Sequence, residues 1–267
     1  MPTTRPEFQE FARRQLSGWW RDTAIAGAFL TRLPFPEPPG AERKGALAGA
    51  SRAFPLVGLV VGAAGAVALL AAAGLGLAPL ANGLMAILVA ALITGALHED
   101  GLADVADGFG AGRTPAQKIK IMRDSRVGVF GVLAVALSVG LRAAVLGGFK
   151  DPEVAAAALV AAACLSRGLL PAAMHFLPPA SKSGMARQAG RPDQEAWVTA
   201  AVLGALLALL FLGPAGGLVA IVFGAAVAAL VAWLAFSQIH GVTGDVLGAQ
   251  QQATEAAVLI AAAAIAS

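Results

Sequence analysis

ANGLMAILVAALITGALHEDGLADVADGFG, residues 81–110, passes from an apolar run at 81–97 straight into a stretch crowded with acids. The run approaches the ~20 residues that a helix needs to cross a bilayer. Four carboxylates, Glu99, Asp100, Asp104 and Asp107, then fall within nine positions. If the segment is helical, Asp100, Asp104 and Asp107 stand at i, i+4 and i+7 and share one face. Three like charges on one face repel, so the pattern calls for a cation between them. At the end of a membrane helix, a divalent metal is the economical candidate. A solvated helix end is the structural alternative, but acids contribute little to topology, so marking the bilayer edge does not account for four of them.

The rest of the chain has the same character. Of its 267 residues, 58% are hydrophobic and 13% charged, against about 25% charged in a soluble domain. Mean hydropathy is +0.74. Candidate spans are 57–76, 81–97, 129–147, 154–176, 197–212, 218–236 and 256–266, the last short enough that it could begin within 248–254. The expectation is an all-α polytopic membrane protein with about seven (six to eight) transmembrane helices. It forms a single membrane-embedded domain over 1–267, with 1–54 as an N-terminal cytoplasmic and interfacial segment. No cleavable signal-peptide pattern is read at the N-terminus. Phe8, Phe11, Gln15, Leu16 and Trp19-Trp20 approximate a helical stripe beside Arg13, Arg14 and Arg21, which fits a helix in the membrane interface or one packed on the protein. Residues 29–35 are too short to span, contain Arg32, and are read as a re-entrant or interfacial piece. The single cysteine, Cys164, is expected to be a buried, inert thiol. Abundant Gly and Ala allow close helix packing in lipid.

Loop charge orients these spans. Residues 1–54 carry eight Lys/Arg, the 99–127 loop five and the 177–196 loop three, so sixteen of nineteen basic residues fall on one side. The positive-inside rule makes that side cytoplasmic. The acidic cluster is therefore expected to face the cytoplasm, where nucleotides and Mg²⁺ are available.

Two more motifs lie on that side. Arg123-Asp124-Ser125-Arg126 ends the same loop as the acids. Guanidinium groups bind phosphate bidentately, and Asp124 could add a metal ligand. GVTGDVLGA, residues 241–249, places Asp245 among glycines ahead of the last apolar segment, which also carries Glu255. Asp245 reads as a helix cap or as a further ligand or substrate contact. Arg167 and Arg142 lie within spans, where arginine is costly and faces a partner or a polar cavity. Arg167 could pair with an acid or with a substrate phosphate. For Arg142, snorkelling or structural pairing is the plainer reading. His98 and His240 each precede a motif, and Lys182, Ser183 and Arg187 lie in a polar loop that could be plain linker.

Together these pieces resemble the cobalamin synthase family, the adenosylcobinamide-GDP ribazoletransferases of the late vitamin B12 pathway. The resembling segments are FLTRLP at 29–34, FPLVG at 54–58, HEDGLADVADG at 98–108, IMRDSRVG at 121–128, Ser166-Arg167, and 241–249 with Glu255. They occur in order over nearly the whole chain. One departure is Glu99, where the family pattern His-x-Asp-Gly more often carries an apolar residue. The resemblance implies transfer of the cobinamide-phosphate moiety of adenosylcobinamide-GDP to a hydroxyl of α-ribazole or its 5′-phosphate, with release of GMP and dependence on Mg²⁺. It implies Asp100, Asp104, Asp107, Asp124 and Glu99 as candidate metal ligands. Arg123, Arg126, Arg167 and Asp245 would be substrate contacts, and Asp104, Asp107 or His98 would act in catalysis. The partners would be these two substrates and the lipid bilayer, with no nucleic acid; a homo-oligomer is admitted.

Other readings stay open here. CDP-alcohol phosphotransferases and intramembrane prenyltransferases also set Asp motifs at helix ends for Mg²⁺-diphosphate, but Asp100-Gly101-Leu102-Ala103-Asp104 lacks the Ala-Arg of the first, and this chain has one clear cluster where the second has two. A cation transporter would place its acids nearer the bilayer midplane, without arginines beside them.

Overall fold

A computed structural model describes residues 5–181 and 184–266, with side chains from Leu16 onward. Phe8, Phe11 and Gln15 in the proposed stripe, and Lys182 and Ser183, therefore lie outside the described side chains. The described chain is helical, and its one β-bridge joins Pro179 to Val242. In order it forms α1 (Arg5–Leu30), α2 (Ala46–Ala50), α3 (Phe54–Gly74), α4 (Pro79–Thr94), α5 (Leu97–Ala111), α6 (Pro115–Met122) and α7 (Val129–Gly148). There follow α8 (Pro152–Gly168), α9 (Leu170–Phe176), α10 (Met185–Ala189), α11 (Gln194–Ile239) and α12 (Gly244–Ala266).

By length and composition four helical stretches can cross a membrane, or five if α4 and α5 form one bent span. The outer faces carry the apolar residues that such a protein turns to lipid. Leu137 on α7 is 69% exposed, and Leu210 on α11 is 73% exposed. This is a multi-pass membrane protein. α11 unites the two spans expected at 197–212 and 218–236, but Gly213 (φ 70°) and Pro214 break it. Gly217 packs against Leu209, so the chain doubles back there.

Three expectations change. The apolar run 81–97 does not continue straight into the acids. Gly95 (φ 66°) and Ala96 (φ 57°) both take the left-handed conformation, and α5 leaves α4 at 93°. Residues 29–35 are not a separate re-entrant piece, because Phe29 and Leu30 are the last turn of α1, whose buried Ala26 and Leu30 join Phe54 and Val57 of α3 in one core cluster. The last helix begins at Gly244, well before 256, because Gln250, Gln251, Gln252 and Glu255 are buried and bonded inside the protein instead of marking a loop.

α8 is the central helix, with 83% of its apolar window buried. Small residues let neighbours close on it. A side chain at Gly62 of α3 would meet Val160 Cα at 2.9 Å, so this crossing needs glycine. The price of burying α8 is that Arg167 near its end, and Arg142 on α7, have no water. They are 2% and 1% exposed.

Both are paired. Arg142 donates from Nη1 to Glu255 Oε1 at 2.7 Å, from Nη2 to Glu99 Oε1 at 3.4 Å and from Nε to the Ser138 carbonyl at 3.3 Å. Arg167 Nη1 donates to Glu255 Oε2 at 3.5 Å. Gln251 Nε2 donates to the same Glu255 oxygen at 2.6 Å, and Gln252 Nε2 to Glu99 Oε1 at 3.0 Å. Two guanidiniums and two carboxylates thus form a balanced cluster joining α5, α7, α8 and α12. Cys164, one turn before Arg167, is buried and free.

Removing one partner from such a cluster leaves uncompensated buried charge, which typically costs about 3–5 kcal/mol. Glu255→Leu should destabilise by that order, and Glu255→Gln, which keeps shape and an acceptor, by less. Cys164, the sole thiol, reports the opening: thermal unfolding in detergent, read by a thiol-reactive dye, should shift down for Glu255→Leu well beyond Glu255→Gln. Equal midpoints for both variants and the parent would contradict the cluster's role.

Candidate functional site

The acidic site is built where α5 crosses α12. Gly101 and Gly248 meet with no side chain between them: a Cβ on Gly101 would lie 2.8 Å from the Asp245 carbonyl oxygen, and one on Gly248 3.1 Å from that of His98. This contact sets Asp245, in the first turn of α12, beside the acidic face of α5. Asp104 lies in the field of Asp245, Asp100 and Asp107 together, and Asp245 in that of Asp100 and Arg123. Thr243 fixes the start of α12. Its hydroxyl donates to Asp245 Oδ2 at 3.2 Å and accepts from the Val246 N–H at 3.2 Å.

Asp100, Arg123, Ser181 and Asp245 edge a cavity of about 300 Å³. Arg123, just past the C-terminus of α6, bonds to the Ser181 hydroxyl, so the 99–127 and 177–196 loops close over the same opening. Arg187 also lines it. The opposite wall is apolar, with Leu30, Phe54, Leu170 and Met174 drawn from α1, α3 and α9. His98 lines the cavity too. It is 3% exposed, and its Nε2 is buried without a hydrogen-bond partner.

The acidic stretch divides by face. Asp100 is exposed and Asp104 half-buried, both beside Asp245. Glu99 turns the other way, to Arg142 and Gln252, so it serves the buried cluster and not the cavity. Asp107 has a further task. Its carboxylate accepts from the Gly128 N–H at 2.7 Å and the Gly131 N–H at 2.9 Å. It thereby caps α7, whose own N-cap, Gly128, has no side chain to do so. Of the acids on the expected ligand face, Asp100 and Asp104 lie beside Asp245 of α12, while Asp107 is bonded to the start of α7.

Two expected phosphate contacts lie elsewhere. Arg167 does not line the cavity, because its charge is spent on Glu255. Arg126 forms a two-pronged pair with Asp124, Nε to Oδ1 at 3.0 Å and Nη2 to Oδ2 at 2.8 Å, on the exposed loop. That hydrogen bonding holds the Asp124 carboxyl down at about 2. Both residues are absent from the cavity wall. Among the described residues, no three His, Cys, Asp or Glu groups are drawn close enough to cage a metal unaided. Mg²⁺ does not require that: it commonly takes one or two carboxylates, with water and substrate phosphate completing the shell. Asp100 and Asp104 are hard oxygen donors one turn apart with no basic side chain bonded to either among the described contacts, which fits such an ion. The apolar wall and Thr243 carry no signal in the sequence that marks them as site residues. FLTRLP and FPLVG were visible as motifs, but nothing local in them says that they meet Asp245.

Comparison with known proteins shows the family of the chain. The family model described as cobalamin-5-phosphate synthase matches residues 22–263. An adenosylcobinamide-GDP ribazoletransferase of Bradyrhizobium diazoefficiens is 45% identical over 244 residues, covering 91% of this chain and 93% of the relative. One from Mesorhizobium japonicum is 45% identical over 241 residues (90% and 92%), and one from Sinorhizobium medicae 39% over 253 (92% and 97%). No solved structure matches the chain.

Asp107 as a cap has a stability signature. Asp107→Ala leaves two N–H groups, that of Gly131 buried and that of Gly128 partly so, without their acceptor and should cost about 1–2 kcal/mol, as loss of a helix cap does. Asp107→Asn, which retains one acceptor, should cost less. Thermal unfolding in detergent reads both; an unchanged midpoint in Asp107→Ala would remove the cap.

Proposed function

The chain belongs to the cobalamin-5-phosphate synthase family, and we propose that it acts as an adenosylcobinamide-GDP ribazoletransferase. It transfers the cobinamide-phosphate group of adenosylcobinamide-GDP to a hydroxyl of α-ribazole or its 5′-phosphate, and GMP leaves. The observation that carries the reading is the meeting of Asp100, Arg123 and Asp245 at the edge of one nucleoside-sized cavity, with Asp104 next to them in the field of Asp100 and Asp245. A diphosphate donor and a hydroxyl acceptor need those groups side by side.

In the reaction the acceptor oxygen attacks the phosphorus on the cobinamide side. The P–O bond to GMP breaks, and a phosphodiester to the acceptor forms. Asp100 and Asp104 would hold Mg²⁺. Such an ion, when bound, offsets the negative charge that builds on the diphosphate oxygens. Arg123 orients the diphosphate and stays beside the GMP phosphate as it gains charge. Asp245, half-buried at the cavity edge and held by Thr243, takes the acceptor's proton and releases it to solvent.

Sixteen of nineteen basic residues on one side of the spans support a cytoplasmic mouth and residence in the bacterial inner membrane. An ion transporter is disfavoured by Arg123, which lies in the field of Asp245 where a passing cation would have to bind.

Purified protein in detergent or nanodiscs should release GMP from adenosylcobinamide-GDP only when the acceptor and Mg²⁺ are both supplied. Asp104→Asn should lower kcat by at least about 100-fold, the order expected when one electrostatic contribution to a transition state is lost. Asp245→Asn should lower kcat with little change in donor KM. Full Mg²⁺-dependent release by Asp104→Asn would overturn the metal assignment, and ion flux in liposomes without turnover would overturn the enzyme.

A further inference from the structure

The two walls of the cavity are chemically unlike, and that difference says which part of which substrate enters. Leu30, Phe54, Leu170 and Met174 belong to one buried cluster, so the apolar wall is continuous and not a scatter of surface side chains. All four are 5% exposed or less. The cavity volume, about 300 Å³, stands at the low end for small-molecule sites. That suits one nucleoside-sized group and excludes a corrinoid macrocycle.

Two aromatic bases could be offered to this wall: the guanine of the donor and the base of the acceptor. Guanine presents acceptors at N7 and O6 and an N2 donor, among other polar edges. Against an apolar wall most of these would be buried unpaired, which is costly. A dimethylbenzimidazole linked to ribose has two methyl groups and a single free ring nitrogen. Among the described residues lining the cavity, a single buried side-chain N or O atom lacks a hydrogen-bond partner: His98 Nε2. His98 lines the cavity with an unpaired Nε2 buried just behind its surface, and the base brings one unpaired nitrogen.

We infer that this apolar recess is the acceptor's base pocket: Leu30, Phe54, Leu170 and Met174 enclose the flat dimethylbenzimidazole, and His98 Nε2–H donates to its free ring nitrogen. His98 is then a specificity-determining residue, and the proton acceptor in the reaction is a carboxylate. The base enters methyl groups first, which leaves the ribose hydroxyls at Asp245 and the diphosphate at Arg123. Guanosine stays outside, with the corrinoid. The inference rests on the transferase reading but can fail separately from it.

The test compares steady-state kinetics of donor and acceptor in nanodiscs. In the parent, an acceptor whose base carries C–H in place of the free ring nitrogen (a dimethylindole riboside) should be poorer in kcat/KM by roughly tenfold, the upper range for one neutral hydrogen bond. In His98→Leu that ratio should fall close to one, while His98→Gln, which retains a donor, should keep part of it. Met174→Trp, which fills the recess, should raise acceptor KM at least about tenfold and leave donor KM unchanged. Leu170→Ala enlarges the recess and guards against misfolding in the filled variant. It should improve a base with bulkier alkyl groups relative to the dimethyl one. A ratio that persists in His98→Leu, or a Met174→Trp effect that falls on donor KM, would overturn the base pocket. So would an acyl chain found bound there by native mass spectrometry and displaced by neither acceptor. A parent protein that releases no GMP with any acceptor would overturn the transferase reading instead.

Discussion

A guanidinium inside a lipid-embedded helix bundle has to be neutralised from within the bundle, and Arg142 is neutralised by residues from two other helices. Glu255 of α12 takes one nitrogen and Glu99 of α5 another. Either contact missing would leave charge in a medium that cannot solvate it. The pairing therefore decides where α5 and α12 sit against α7. Arg167 of α8 closes the cluster on the far oxygen of Glu255, and Gln251 and Gln252 each donate a further hydrogen bond, to Glu255 and to Glu99. Charge balance, two against two, makes this arrangement tolerable where any single member would not be.

The acidic site inherits its geometry from that cluster. Glu99 and Asp100 are neighbours on α5, so fixing Glu99 inward turns Asp100 and Asp104 outward. Glu255 and Asp245 lie on one helix, so anchoring the first sets the depth of the second. The Gly101–Gly248 contact then brings the two faces within reach. Asp107 does the same at the other end of α5, tying it to the start of α7 through Gly128 and Gly131. Like charges are held close by bonds made elsewhere on the same helices. Those bonds offset the repulsion that would otherwise push these acids apart.

Much of this was legible in the sequence. Long apolar runs, Gly/Ala abundance and loop charge gave a polytopic helical protein, and the i, i+4 spacing put Asp100 and Asp104 on one face. What stayed hidden has physical causes. Hydropathy reads Gln250, Gln251 and Gln252 as polar and close to a loop, because it cannot see that they bond to Leu169, Glu255 and Glu99 inside the protein. Consecutive left-handed residues at Gly95 and Ala96 leave no mark in a sequence pattern beyond one glycine, so the turn between α4 and α5 is not legible there. Spacing alone puts Asp107 on the face of Asp100 and Asp104; the sign of its bonds to α7 is Gly128, a helix start with no side chain to cap it. Arg126 and Asp124 looked like site residues from proximity in sequence, yet each satisfies the other.

The 93° turn between α4 and α5 also bears on how a very large donor and a small acceptor can share one site. Had α5 continued α4, its acids would have projected along the bundle axis, away from the apolar recess. Turned aside, α5 lies across the end of the bundle, with Asp100 on the open side and His98 on the closed one. A cavity of about 300 Å³ cannot admit the donor's macrocycle, so on the proposed reaction only the diphosphate tail approaches the acids, from outside. The acceptor must then come from the recess side for its hydroxyl to reach the phosphorus opposite the departing GMP. An apolar recess on one side of the acids and an open, basic loop on the other is the division that such an attack requires.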